Sequence, residues 1–288
     1  AGRVNWAYDD DEKKDDDGRG QGLGTLKDIK LGKIKIIDGR FSYDDQITGT
    51  SEKLLKVNTD IVMSSLSSPL SITGDLAWRA EKISLSLNLD NPKKLLGGDT
   101  AALKIDASSK HFKTLLGGTI ATKTGPVFSG NFSASSPSLK SFIVWMGKPA
   151  PGIGGLGPFR LNSNLSYADQ IINLSGLKLG LDKISGAGNA KLNLAGARPR
   201  LTGKLNFDVL NLAPYLSSPS AVSGKSARRA SGWSREKIDF SALKAADADL
   251  GLRAKKLIAR DIKIENTALN VKLENGIFKT AKCQVRNL

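Results

Sequence analysis

Between Ile83 and Leu89 the chain alternates without a break, with Ile83, Leu85, Leu87 and Leu89 on one phase and Ser84, Ser86 and Asn88 on the other. Successive side chains of a strand point to opposite faces, so this stretch predicts a strand with one apolar side. The pattern recurs at 191–194 (Leu192, Leu194), 204–209 (Leu205, Phe207, Val209) and 269–274 (Leu269, Val271, Leu273). Alternation starts at Leu26 and runs through Ile29, Leu31, Ile34 and Ile36 to Asp38-Gly39, after which Phe41 and Tyr43 resume it. An Asp-Gly pair between alternating segments predicts a hairpin. Asp28-Ile29-Lys30-Leu31 is echoed by Asp261-Ile262-Lys263-Ile264, and Asp38-Gly39-Arg40-Phe41 by Asn275-Gly276-Ile277-Phe278, which points to a repeated unit. Three strand-like runs end in Pro92, Pro137 and Pro214 ahead of a short apolar turn. Proline fits the first turn of a helix, so each predicts a brief helix capping an edge or end of the sheet.

Composition adds where the regularity stops. Residues 1–24 are acidic and then Gly-rich, a composition that reads as a linker or surface loop. The formal charge is +15, but the first 17 residues hold seven acids against three bases, so the remainder carries 40 basic and 21 acidic residues, about +19. Such an excess makes nucleic acid and anionic membrane electrostatic candidates. Aromatics are only 6% and scattered, which argues against the stacking platforms of a nucleic-acid binder. Lys30, Lys33, Lys35 and Lys272 fall on the polar phase of strands, where charge solvates a face and protects edges. Residues 217–237 collect Ser, Gly, Pro and basic residues, the pattern of a flexible basic loop, with Arg228 and Arg229 as candidate contacts to phospholipid headgroups.

Candidate chemistry is sparse. Cys283 and His111 are the only residues of their types, so an internal disulfide, a thiolate metal cluster and a His-based triad or zinc site lack their parts. His111, in Ser-Ser-Lys-His-Phe, reads as an exposed strand or turn. The run from Gly152 to Gly157 looks like a phosphate-cradling loop, but a dinucleotide fingerprint follows a strand and opens a helix, and this one is flanked by Pro149, Pro151 and Pro158. Asp247 and Asp249 share one face of a predicted strand without a third ligand nearby. The residues therefore predict a protein that is not an enzyme, with no catalytic residue, metal or cofactor. No stretch reaches the 18 or so apolar residues of a membrane span, and Ala at position 1 predicts a piece of a longer protein.

The block from Gly232-Trp233-Ser234 through Ile238-Asp239-Phe240-Ser241-Ala242-Leu243-Lys244 to Asp247-Ala248-Asp249-Leu250 resembles the AsmA family of bacterial envelope proteins. The resemblance extends over Leu179 to Gly188 with the strand pair that follows, and over the segment from Asp38 to Tyr43. It implies an AsmA-like repetitive β region over 25–288, incomplete at its C-terminal side: a long, curved, largely antiparallel sheet of repeated hairpins forming an open groove or half-barrel, with a few short helices. It further implies a periplasmic protein held in the inner membrane by a helix in an N-terminal part not included here. Its function would be phospholipid transport between membranes and outer-membrane biogenesis. Phospholipid acyl chains are the implied partner, with Ile83, Leu85, Leu87, Leu89, Leu192, Leu194, Leu205, Phe207, Val209, Leu269, Val271 and Leu273 as candidate groove lining. The alternative is a structural factor that helps outer-membrane proteins assemble through strand addition at exposed edges.

Overall fold

The computed structural model describes residues 32–45, 50–149, 153–216 and 246–285. The acidic segment 1–24, the loop 217–237 with Arg228 and Arg229, and most of the Gly232–Leu250 block lie outside the described residues. Fourteen strands form one open sheet whose spatial order is the chain order. They are β1 (Gly32–Asp45), β2 (Thr50–Met63), β3 (Leu70–Trp78), β4 (Glu81–Leu89), β5 (Ala101–Ser108), β6 (Lys113–Ala121) and β7 (Val127–Ser136), then β8 (Phe159–Ala168), β9 (Ile171–Leu181), β10 (Ile184–Asn193), β11 (Arg200–Asn211), β12 (Asp247–Ala259), β13 (Ile262–Glu274) and β14 (Ile277–Val285). Every neighbouring pair is antiparallel except β11 and β12, which run parallel. Each strand thus obtains its backbone hydrogen bonds from the strands next to it in sequence.

The short helices fall where proline predicts them. Helix α1 (Pro92–Leu96) has Asn91 as its cap, the side-chain Oδ1 accepting from Lys94 N at 3.0 Å. Helix α2 (Leu139–Trp145) is capped by Ser138, whose Oγ accepts from Ser141 N at 3.2 Å. A single 3-10 turn occupies Ala213–Tyr215. At α1 and α2 the polar cap residue takes up one of the first free amides of the helix, whereas the 3-10 turn has Leu212 at its cap and no side-chain cap bond.

The Asp38-Gly39 expectation needs correction. No reversal occurs there, and β1 runs straight through as one strand. Asp38 takes a left-handed conformation (φ 48°), its N–H donates to Asn58 Oδ1 at 3.0 Å, and the register with β2 shifts between Ile36 and Phe41. The residues that signal a hairpin turn here form a bulge, because the partner strand already continues on the far side. At the echo, Asn275 (φ 54°) and Gly276 (φ 75°) do make the turn between β13 and β14, both with the positive φ that a tight two-residue hairpin needs.

Glycines show which way the sheet bends. Gly74, Gly118, Gly130 and Gly188 fall on the apolar phase, and a Cβ on any of them would overlap the backbone of the adjoining strand. A Cβ on Gly117, on the opposite phase, meets nothing within 4 Å. Neighbouring strands close up on the apolar side, so the sheet curls toward it. Adjacent glycines should therefore respond oppositely: Gly118→Val is expected to destabilise by about 1–3 kcal/mol through overpacking, while Gly117→Ala stays within about 0.5 kcal/mol or stabilises. Urea unfolding of the two variants checks this, and equal losses would disprove the inward curl at this strand.

Candidate functional site

The register assembles the alternating residues into continuous rows. Ile72, Leu87, Ile105, Leu116 and Phe132 are successive cross-strand partners on β3 to β7. Farther along, Leu205, Leu252 and Leu269 are partners on β11 to β13. Strands lie about 4.8 Å apart, so fourteen of them extend an apolar face over roughly 60 Å. Backbone proximity between elements is largely confined to neighbouring strands, apart from α1 against β5. Among the described residues, no second sheet or long helix lies over these rows, and no large side chain is fully buried.

The candidate lining residues fall into three groups. Ile83, Leu89, Phe207 and Leu273 are buried; Leu85, Leu87, Leu192, Leu205, Leu269 and Val271 are half-buried on the same phase. Leu194 and Val209 do not belong with them. Leu194 lies one residue beyond the end of β10 and is 38% exposed. Val209 is 44% exposed, and Leu210 takes the place that alternation assigns to it, packing with Phe207, Ala254 and Leu257. The buried positions jump from 207 to 210 and from 254 to 257, three residues instead of two, so the phase slips once in both strands. Period-two counting has no means of locating such a slip. Ile72, Ile105, Leu116, Phe132, Leu161, Leu165 and Leu252 are on the same face and were readable from the same alternation, although less regular flanks conceal them.

Aromatic side chains that periodicity does not single out close one end of the face. Trp145, the last residue of α2, meets Trp78 edge-on at 5.1 Å between ring centroids and stacks on His111 at 5.2 Å and Phe112 at 5.6 Å. Phe142 joins at 5.8 Å. The turn position expected for His111 is right, but its exposure is not: the side chain is only 15% exposed between Trp145 and Glu81. Around the rings, Glu52 accepts from Trp78 Nε1 at 2.7 Å and pairs with Arg79, whose guanidinium lies 5.2 Å from the Trp78 ring. Glu81 pairs with Lys110. The Arg79 hydrogen bond, and then that of Trp78, hold the Glu52 carboxyl below its ordinary range, and Lys110 does the same for Glu81.

The glycine-rich segment resembling a phosphate cradle does hold an anion, the protein's own. Asp182, in the turn after β9, accepts from Leu156 N at 3.1 Å, Gly157 N at 2.8 Å and the Tyr215 hydroxyl at 2.6 Å. Burial, and then the Asp182 carboxylate, push the Tyr215 phenol well above its usual range, which keeps it a donor. These bonds tie the 3-10 turn and the segment after α2 to the same end of the sheet. Asp247 is likewise engaged, accepting from Arg198 Nη2 at 2.7 Å and from Asn275 N at 3.0 Å. No group of three or more potential metal ligands occurs among the described residues.

Two outcomes follow for the aromatic end. Trp145→Ala should cost roughly 2–4 kcal/mol in urea unfolding, since it removes the ring on which four others converge; a loss below about 0.5 kcal/mol would mean that α2 does not hold this end. Glu52 and Glu81 are depressed in the folded state, so their contribution is present above the ordinary carboxylate range and lost as pH falls through and below it. The thermal midpoint should hold steady from neutral pH down to about 5 and drop below about 4. A Glu52→Gln, Glu81→Gln double variant should start lower at neutral pH and fall less steeply, and an unchanged acid slope would contradict the pairing.

No protein-family model, curated protein or solved structure matches this chain.

Proposed function

We propose that this chain is a non-enzymatic cell-envelope module that holds phospholipid acyl chains on its apolar sheet face. Carrying the proposal is the series of apolar rows on one face, curled inward, interrupted by few polar residues such as Ser163 and Thr267, and without a facing protein layer among the described residues. Each methylene taken out of water contributes about 0.8 kcal/mol, so an acyl chain laid across several strands gains several kcal/mol without any directed bond. The rows offer almost no polar groups, so lipid selectivity at this face is weak. The resemblance to AsmA proteins supports the reading and implies a periplasmic setting with an inner-membrane anchor. It makes transport of phospholipid between membranes, in support of outer-membrane biogenesis, the process served.

A second reading has one observation in its favour. Among the described strands, β1 forms a free edge, and Ile37, Phe41 and Tyr43 on it are more than half exposed, at 73%, 52% and 63%. Long apolar edges pair readily with another strand, which suits a contact with outer-membrane assembly proteins.

Native mass spectrometry of gently purified protein distinguishes the two. The acyl-chain reading expects co-purified phospholipid, reduced at least tenfold by Leu87→Asp with Leu116→Asp while circular dichroism keeps the β signature. Protein free of lipid, or a variant with an undiminished load, would overturn it. A photoreactive group at Tyr43 that yields protein adducts and no lipid adducts would favour the edge reading.

A further inference from the structure

The polar face of β9 to β13 holds a feature the acyl-chain reading leaves unused. Along β11, β12 and β13 the ladder passes from Phe207, Ala254 and Thr267 directly to Val209, Lys256 and Glu265, leaving Asp208, Lys255 and Asn266 unpaired side by side. Asn266 adopts a left-handed φ of 49°. Because each strand skips one residue, the register is the same on both sides of the irregularity. Beside it a cavity of about 780 Å³ opens, to which Lys178, Ser185, Asn206 and Arg253 contribute from the polar phase. A second cavity of about 540 Å³ adjoins it and shares Asn206 and Arg253, adding Asn189, Lys204 and Asn270. Gly251 forms its floor: a Cβ there would come within 3.5 Å of Asn270 Oδ1 and 3.7 Å of Lys204 Cγ.

The charges in this trough are unbalanced. Asp208 is taken by Lys255 at 2.8 Å. Lys178, Lys204 and Arg253 make no ion pair among the described residues. The acid closest along the polar phase, Asp249, lines a hollow with Lys204 and makes no ion pair among the described residues, its cross-strand neighbour Lys272 being paired with Glu274, so three cations face one free acid and the trough keeps an excess of positive charge. Lys204 and Arg253 repel across the adjoining strands β11 and β12, Lys178 adds its charge from β9 beyond β10, and a hollow concentrates their field, so the site favours an anion that bridges them. Around them stand the amides of Asn206 and Asn270, each able to donate and to accept, and Asn189, whose Oδ1 accepts from Gly176 N at 3.1 Å and whose amide group remains to donate, a set that suits hydroxyl groups. The aromatic residue that lines the trough, Phe207, is on the apolar phase with its ring against Gly186, which leaves no platform for a nucleobase on the polar side.

We propose that this trough binds a phosphorylated polyol, with the phosphate among Lys178, Lys204 and Arg253 and the hydroxyls on the three asparagines. A phosphomonoester carries close to two negative charges at neutral pH, which matches three unpaired cations better than a carboxylate does. The cavity is within the size range of small-ligand sites. Being on the face opposite the apolar rows, the site does not depend on the acyl-chain reading, and either can fail without the other.

Isothermal titration of the whole chain with glucose 6-phosphate, glucose and inorganic phosphate tests the proposal. Glucose 6-phosphate should bind at least tenfold more tightly than either of the others. Lys204→Gln with Arg253→Gln should lower that affinity at least tenfold with the thermal midpoint kept, while Lys272→Gln, on the same face outside the trough, leaves it unchanged. Should the double variant fold poorly, Asn206→Asp, which adds a negative charge at an exposed position, must weaken binding as well. Equal affinity for inorganic phosphate, no binding, or binding indifferent to both variants would overturn it. Vesicles of phosphatidylcholine with and without phosphatidylinositol 4-phosphate identify the source: capture by the phosphorylated vesicles that the double variant loses assigns a lipid headgroup, and soluble binding without such capture assigns a free sugar phosphate.

Discussion

The ladder of hydrogen bonds between consecutive strands is the constraint on which everything else in this fold depends. A strand satisfies its backbone only through its neighbours, and here the neighbours in space are the neighbours in sequence across the whole sheet. With the backbone settled edge to edge, the two faces are free to differ. One gathers Leu, Ile and Phe into rows, the other Ser, Asn and Lys. No second layer is required for the ladder to form, and so an apolar face can persist without one.

What keeps such a sheet from presenting a flat apolar surface to water is its curl and its ends. Glycines at the closest strand approaches let the apolar side tighten. At one end, α2 inserts Trp145 among Trp78, His111 and Phe112, and Asp182 gathers the 3-10 turn and the Gly-rich segment. At the other end, α1 is fastened by Lys93 N to Leu66 O at 2.8 Å and by the Thr122 hydroxyl to Leu95 O at 2.6 Å. The interior that results is shallow, with half-buried aliphatic side chains in place of a close-packed core. That state costs a soluble domain stability and suits a surface meant to receive an apolar guest.

The sheet's irregularities matter as much as its regularity. The bulge at Asp38 keeps β1 paired with β2 where a turn signal invites reversal. The aligned skip at Asp208, Lys255 and Asn266 shifts the apolar phase onto Leu210 and Leu257, and opens the basic trough on the opposite face. A single physical event, one unpaired residue in each of three strands, thus rearranges both surfaces.

Alternation alone determined that the chain is mainly β and one-sided, and placed Leu85, Leu87, Leu205, Leu269 and their neighbours on one face, because the two-residue period is a local property of the strand. Proline likewise located the short helices, since its fixed φ suits the first turn of a helix, a strictly local property. Tertiary structure decided whether Asp38-Gly39 and Asn275-Gly276, alike in sequence, became a bulge or a turn. It also decided that Val209 leaves the row, that His111 is stacked under Trp145, and that Arg253 lines one hollow with Lys178 and the adjoining one with Lys204. Each of these depends on which strand lies alongside and in what register, a relation between residues far apart in the chain that no local period encodes.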